Sequence, residues 1–349
     1  MEYIFSIYET FTLRVCIEGE QMETKTFKIK YLGFYSSFDE KNNFISDSIK
    51  RFGNIELSEN PDYVFYSVFS NEYLLYPNAV RVFFTGENIA PDFQMCDYAI
   101  GFERLLFGDR YIRFPFYYGM YEYAKDLKLA EEKNKNITQK LFDREFCSFV
   151  YSNNDTDSMR INLLEKLSTY KRVDSGGKLK NNLLNGQVED KLLFENNHKF
   201  SIACENSSHP GYVTEKILQA FAAKTIPIYY GDSTVCEDFN SKAFINCHEF
   251  DSLDHLLEKV KKLDSDKTEY LSMLEQPIYN DKMFSIKMKD NFDKFIENIF
   301  IQEKEKAFRR NRVFWGKKID DKYIKLFKFE QLVKKGKKVL TLGKKNDNK

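Results

Sequence analysis

The run FSIACENSSHPGYVTEKILQAFAAKTIPIYYG, residues 200–231, leaves the chain little freedom in how it folds. Phe200–Cys204 is a short apolar run, and Val213, Ile217, Ala220 and Phe221 then recur at helical spacing before a second apolar run ends at Gly231. A period that changes in this way predicts a strand, a polar loop, a helix and a second strand. Glu215, Lys216 and Gln219 fall on the helix face opposite the apolar stripe, so the polar face opens at the helix N-terminus. Free N–H groups and the helix dipole attract phosphate there. Lys216 beside Glu215, with Tyr212 and Asn206 close by in the chain, suits a phosphorylated sugar donor. An ordinary βαβ unit with a solvated first turn would show the same periodicity, so a ligand site and a plain structural unit both stay open on this pattern alone.

A chain of 349 residues has room for two domains of ordinary size. Hydrophobic residues make up 42% of it, including 33 Phe and 22 Tyr, which is ample for packed cores, while 7 Pro and 15 Gly argue against disorder. Lys plus Arg and Asp plus Glu are both 53, so no global field favours nucleic acid. The cysteines at 16, 96, 147, 204, 236 and 247 have no close paired spacing and read as reduced structural thiols of a cytoplasmic chain. The first residues lack a secretory pattern, and no run of about 18 apolar residues occurs, so secretion and membrane spanning are not expected.

Lys28–Tyr35, Tyr63–Phe69, Val80–Phe84 and Tyr98–Phe102 read as strands and Asn43–Phe52 as a helix, before a lysine-rich, apolar-poor stretch at 125–140. Alternation resumes with a strand at Phe146–Ser152, a helix at Met159–Leu167, the 200–231 unit and Ala243–Cys247. A terminal helix is predicted at Asn291–Phe308. The expected fold class is α/β, two Rossmann-like domains facing a cleft: residues 1–145, residues 146–300, and a terminal helix with basic tail at 301–349. Residues 317–349 hold twelve lysines against four acids, with Trp315, Ile319, Tyr323, Leu326 and Val333 roughly on one face. Such a helix can lie on an anionic membrane surface, and a solvated tail is the other reading.

Val80–Asn88 runs from a strand straight into a Gly turn, which sets Glu87 at a strand's C-terminal end, where ligands of open α/β sheets gather. A carboxylate there can take the proton of an attacking hydroxyl, though an exposed turn glutamate is the plainer reading. Arg160 begins a helix backed by Ile161, Leu164 and Leu167 and could hold a diphosphate with both arms, against the commoner fate of a surface arginine. Asp155-Thr-Asp157 forms a DxD pattern that in other transferases holds a divalent metal, but two acids in a loop also serve as a helix cap. No Walker loop, GxSxG elbow, HExxH or paired CxxC is present, and the histidines at 198, 209, 248 and 255 lack metal-ligand spacing.

The stretch centred on Tyr212-Val-Thr-Glu-Lys216 resembles the donor-binding signature of the α1,3-fucosyltransferases. The likeness extends over roughly residues 27–295. Asn88, Pro91-Asp-Phe93, Cys96–Phe102 and Phe107–Tyr111 resemble that family's acceptor domain. The resemblance implies a GT-B architecture and inverting transfer of L-fucose from GDP-β-L-fucose to the GlcNAc of Galβ1,4GlcNAc-type glycans, as in Lewis-type or O-antigen synthesis. It implies Glu87 as base, Glu215 beside the sugar, Arg160 and Lys216 on the donor phosphates, and Tyr212 and Asn206 on the nucleotide or pyrophosphate. Glu205, ranked below these, would orient Lys216 or the ribose. No metal is expected to be required, with Mn²⁺ or Mg²⁺ at most stimulating. Without the anchor of the family's Golgi members, the chain is expected to be cytoplasmic, with peripheral attachment at the inner membrane face through residues 317–349. Cys204 and the Ser207–Pro210 loop depart from the commoner residues. The rival readings are a transferase with a different nucleotide-sugar donor and a non-catalytic glycan-binding module.

Overall fold

The computed structural model describes residues 25–154, 156–310 and 313–346, with 335–346 described by backbone alone. Cys16 and Asp155 lie outside the described residues. In the first half, the apolar runs become β1 (Thr26–Leu32), β2 (Asn54–Leu57), β3 (Tyr63–Tyr66), β4 (Val80–Phe84), β5 (Tyr98–Gly101) and β6 (Tyr111–Arg113), with α1 (Phe44–Lys50) between β1 and β2. Asn43 caps α1 by accepting from the Ser46 N–H (2.8 Å). The strands pair in parallel in the order β2-β1-β3-β4-β5-β6. Parallel strands are covered on both faces and so read as unbroken apolar runs. β3 and β4 are accordingly buried at every position. Chain order reverses between β1 and β3, and the crevice beyond the strand ends at such a reversal is where this architecture takes ligands.

After α2 (Ala124–Glu131) the plan repeats. β7 (Glu145–Phe149), β8 (Val173–Ser175), β9 (His198–Cys204), β10 (Ile226–Tyr230) and β11 (Ile245–Asn246) run parallel in the order β11-β10-β9-β7-β8, with the reversal between β7 and β9. Helices α3 (Met159–Ser168), α4 (Lys191–Asn196) and α5 (Glu215–Ala222) connect these strands, and α6 (Leu253–Ser265) and α7 (Lys267–Leu274) follow them. The two-sheet α/β architecture expected from the sequence is the one observed.

The terminal helix α8 (Phe284–Ile301) starts and stops earlier than the predicted 291–308. Asp281 accepts from the Met283 N–H (2.8 Å) and opens the helix ahead of the apolar periodicity. Gln302 takes extended backbone and ends it before α9 (Lys304–Ala307). α8 crosses back onto the first sheet. The Phe300 ring sits 4.8 Å from Phe27 and 4.5 Å from Tyr63, Phe292 sits 4.5 Å from Phe114, and Ser48 donates to Asp293 (2.7 Å). The apolar core runs on from this layer into Phe221 and Tyr229 of the second half, with α2 packed on α5. One element that follows the second sheet in the chain thus covers the first.

The long basic helix α10 (Phe314–Asn346) is anchored at its N-terminal half. Phe327 is buried with Leu74 and Met95, and Asp320 pairs with the buried Arg81 (3.2 Å).

Candidate active site

Beyond β4 the chain makes a tight turn in which Glu87 N–H donates to Thr85 Oγ1 (2.9 Å) and Ile89 N–H donates to the Glu87 carbonyl (2.7 Å). The turn presents Glu87, exposed, at the strand's C-terminal edge. Glu87 lines a cavity of about 360 Å³ with Tyr35, Ser67, Phe69, Phe84, Gly86, Phe116, Met120, Glu122 and Tyr123 on its own side, and Asn206, Tyr212, Thr214, Glu215 and Lys216 opposite. Tyr35, Phe69 and Glu87 follow β1, β3 and β4, so the first wall stands at the order reversal of the first sheet. The second wall follows β9, at the reversal of the second sheet.

Glu205 organises that second wall, although sequence reasoning ranked it lowest. It is fully buried, and it accepts from the Thr214 N–H (2.7 Å), the Thr214 hydroxyl (2.6 Å) and the Lys216 ammonium (3.1 Å). Thr214 therefore spends its hydroxyl on Glu205 and does not cap the first turn of α5. Gly231 makes room for this carboxylate, since a Cβ there would lie 2.3 Å from Glu205 Cγ. Lys216, with 14% of its side chain exposed, also meets Glu215 (3.4 Å) and the Thr214 hydroxyl (2.8 Å). Its charge thus faces two carboxylates rather than open space. Burial opposes the Lys216 charge, but Glu205 and Glu215 outweigh it and hold its pKa above the usual lysine value. Burial pushes the Glu205 carboxyl up, with Lys216 opposing. Burial also disfavours the Glu215 charge, but Lys216 and Lys191 prevail and its pKa lies below the usual carboxylate value. Glu215 is thus held ionised in the cavity wall.

Arg160 departs from the bidentate, ligand-facing arrangement expected of it. Its residue surface is 1% exposed, and its guanidinium stacks 4.1 Å over Tyr151 while donating to the carbonyls of Asn153 (3.1 Å) and Cys204 (3.1 Å) and to Asn206 Oδ1 (3.0 Å). The switch from strand to loop at Cys204 pulls the arginine inward, because the freed carbonyls there need donors. It fixes Asn206, which does line the cavity. Asp157 caps α3 by accepting from Met159 N–H (2.9 Å), and its other oxygen accepts from Tyr230 (3.1 Å). His209 bridges to Glu103 of the first half (3.0 Å), and Tyr212 packs its ring on Phe102 (4.7 Å). The aromatic first wall of Tyr35, Phe69, Phe116 and Tyr123 was not singled out in the sequence. Its residues are scattered over the connections that follow β1, β3 and β6, and only the parallel order of the first sheet gathers them.

Residues 29–121 match the α-(1,3)-fucosyltransferase FucT N-terminal domain, and residues 141–292 match the glycosyltransferase family 10 (fucosyltransferase) C-terminal region. A crystal structure of an α1,3-fucosyltransferase with GDP-fucose superposes with a TM-score of 0.64 at 30% identity, covering 81% of this chain and 94% of that one. The chain belongs to the α1,3-fucosyltransferase family. A second α1,3-fucosyltransferase crystal structure matches with a TM-score of 0.66 at 29% identity, over 84% of this chain and 95% of the other. The α-(1,3)-fucosyltransferase FucT of Helicobacter pylori is 37% identical over 259 residues, 64% of this chain and 54% of that protein. The chain thus spans about half the length of this curated relative. In family terms, Glu87 falls within the first matched segment and Asn206 to Lys216 within the second, so the cavity draws on both.

Proposed function

We propose that the protein is an inverting α1,3-fucosyltransferase that moves L-fucose from GDP-β-L-fucose to the GlcNAc hydroxyl of Galβ1,4GlcNAc-type glycans. One observation carries the reading: in a chain of this family, a single cavity joins the strand-end carboxylate Glu87 to the Tyr212–Lys216 run. Glu87 takes the proton of the acceptor hydroxyl as its oxygen attacks the anomeric carbon. The bond from that carbon to the phosphate oxygen breaks, its electron pair leaves with GDP, and attack from the opposite face turns a β-linked donor into an α-fucoside. A positioned base of this kind supplies about 10²–10⁴ in rate. Glu215, ionised beside the sugar, stabilises positive charge growing on the ring. Lys216 and the N–H groups in the first turn of α5 are the donors for the diphosphate. Tyr212 and Asn206 hold the nucleotide end, the latter steadied by Arg160.

The test is purified protein with GDP-fucose and N-acetyllactosamine, with the product linkage read by NMR. An α1,3-fucoside on GlcNAc is the expected product. Inertness toward this donor alongside turnover of another nucleotide sugar overturns the assignment.

We also propose that α10 holds the enzyme to anionic membrane from the cytoplasmic side. Phe314, Trp315, Leu326, Phe329 and Leu332 are exposed on it, among lysines throughout its length. Among the described residues no helix is long and apolar enough to cross a membrane.

A further inference from the structure

Beside the cavity, the two halves meet at a joint of charged side chains that the proposed chemistry does not use. Arg113, at the end of β6, holds both carboxylate oxygens of Asp238 in the second half, Nη2 to Oδ2 at 2.6 Å and Nη1 to Oδ1 at 3.2 Å. The same guanidinium donates to the carbonyls of Phe102 (2.8 Å) and Gly211 (3.1 Å). Asp238 keeps 4% of its side-chain surface and Arg113 15%, so the pair is largely withdrawn from water. A planar fork that serves four acceptors at once is a task for arginine, and lysine cannot copy it.

Gly211 is gripped from the other side too. Its N–H donates to Asp232 Oδ1 (2.7 Å), and the fully buried Asp232 is reached in turn by Arg104 of the first half (3.4 Å). Gly211 has φ +88°, and a Cβ on it would lie 2.5 Å from the Phe102 carbonyl, so this loop rests directly on first-half backbone. The next residue is Tyr212, which lines the cavity, and Glu215 and Lys216 follow within a few residues. The joint therefore ties the donor-side wall to the sheet that also carries Glu87, two strands away at the end of β4.

We propose that Arg113 is a positioning residue of the transfer reaction: by binding Asp238 and Gly211 to the end of β6, it fixes the separation between Glu87 and the Glu215–Lys216 pair. The proposal rests on the cavity being the site of fucosyl transfer. A misplacement of about 1 Å between reacting groups can cost on the order of 10² in rate. The nucleotide contacts proposed above, Tyr212 and Asn206, both belong to the second half, so loosening the joint acts more on turnover than on GDP affinity.

Arg113→Lys and Asp238→Asn, each in the full chain, are compared with wild type for kcat, for KM of donor and acceptor, for GDP Kd by calorimetry, and for amide hydrogen exchange across residues 211–216. Each variant is expected to lose about 10- to 100-fold in kcat, with a smaller change in GDP Kd and faster exchange at 211–216. Should Arg113→Lys fail to fold, the milder Asp238→Asn carries the comparison. Wild-type kcat and wild-type exchange in the variants overturn the proposal, and so does a loss of GDP affinity that matches the loss of turnover, which would make Arg113 a donor-binding group. A wild-type protein that transfers no fucose overturns the transfer reading and the catalytic role with it, whereas faster exchange in the variants would still support the joint.

Discussion

Removing Glu205 tests the organisation of the donor-side wall. Glu205→Ala leaves the Thr214 N–H and hydroxyl without their acceptor and Lys216 with Glu215 as its remaining carboxylate. Breaking a buried ion pair by truncating one partner costs about 3–5 kcal/mol. The hydrogen bonds left unmade, about 1–3 kcal/mol each, overlap with that figure and do not add to it. Taking about 4 kcal/mol, and about 2–4 °C of Tm per kcal/mol for a unit of 150 to 250 residues, thermal unfolding followed by circular dichroism should shift down by roughly 8–16 °C. Glu205→Gln keeps an acceptor for the Thr214 N–H but loses the charge, so it should fall between. Gly231→Ala drives a methyl against the Glu205 side chain and should destabilise alone, but less so when Glu205 is already alanine. That non-additivity should exceed about 0.5 kcal/mol. A Glu205→Ala protein that melts within about 2 °C of wild type, or strict additivity with Gly231→Ala, would refute the role given to this carboxylate.

Other perturbations reach further parts of the molecule. Lys133 is buried, with its ammonium on the Leu274 carbonyl (2.9 Å), and burial pushes its pKa down to about 7. An unfolded lysine titrates near ~10.4, so between about pH 7 and 10 the unfolded chain binds the extra proton and stability climbs as pH rises. Lys133→Met should therefore raise Tm at neutral pH and flatten that slope; a slope that persists in the variant assigns it elsewhere. Deleting the residues after Lys317 should abolish co-sedimentation with phosphatidylserine vesicles and also lower Tm, since it takes Asp320 from Arg81 and Phe327 from Leu74 and Met95; undiminished vesicle binding would rule out the anchor. Transfer should continue at full rate in a chelator, because both Asp157 oxygens serve the fold; complete loss restored by Mn²⁺ or Mg²⁺ would reverse that reading.

The buried central strands could be read from the sequence because their two-sided burial leaves unbroken apolar runs, as in Val80–Phe84 and Phe200–Cys204. Strands β2, β6 and β8 could not. β2 is an exposed edge of four residues, and β6 and β8 have three residues each, too few to show a period. The candidate site was legible where residues lie close in the chain, as Tyr212, Glu215 and Lys216 do. It was illegible where an interaction joins distant segments. Spacing alone cannot tell that Arg160 turns inward to Cys204 and Asn206, or that Glu205 reaches Thr214 and Lys216 across a loop. A charged residue set directly after a fully buried strand was the available signal for Glu205, because such a group needs partners. The Arg113–Asp238 joint spans 125 residues and left no trace in local pattern.

Glu87 bears the central claim, that a carboxylate on the first half's wall takes the acceptor proton across a cavity from the donor. Glu87→Gln keeps the size and turn geometry and removes the base, so the decisive measurement is turnover and GDP affinity on one preparation of that variant. Turnover should fall by about 10²–10⁴ with GDP affinity at the wild-type value. Turnover at the wild-type rate would contradict the claim.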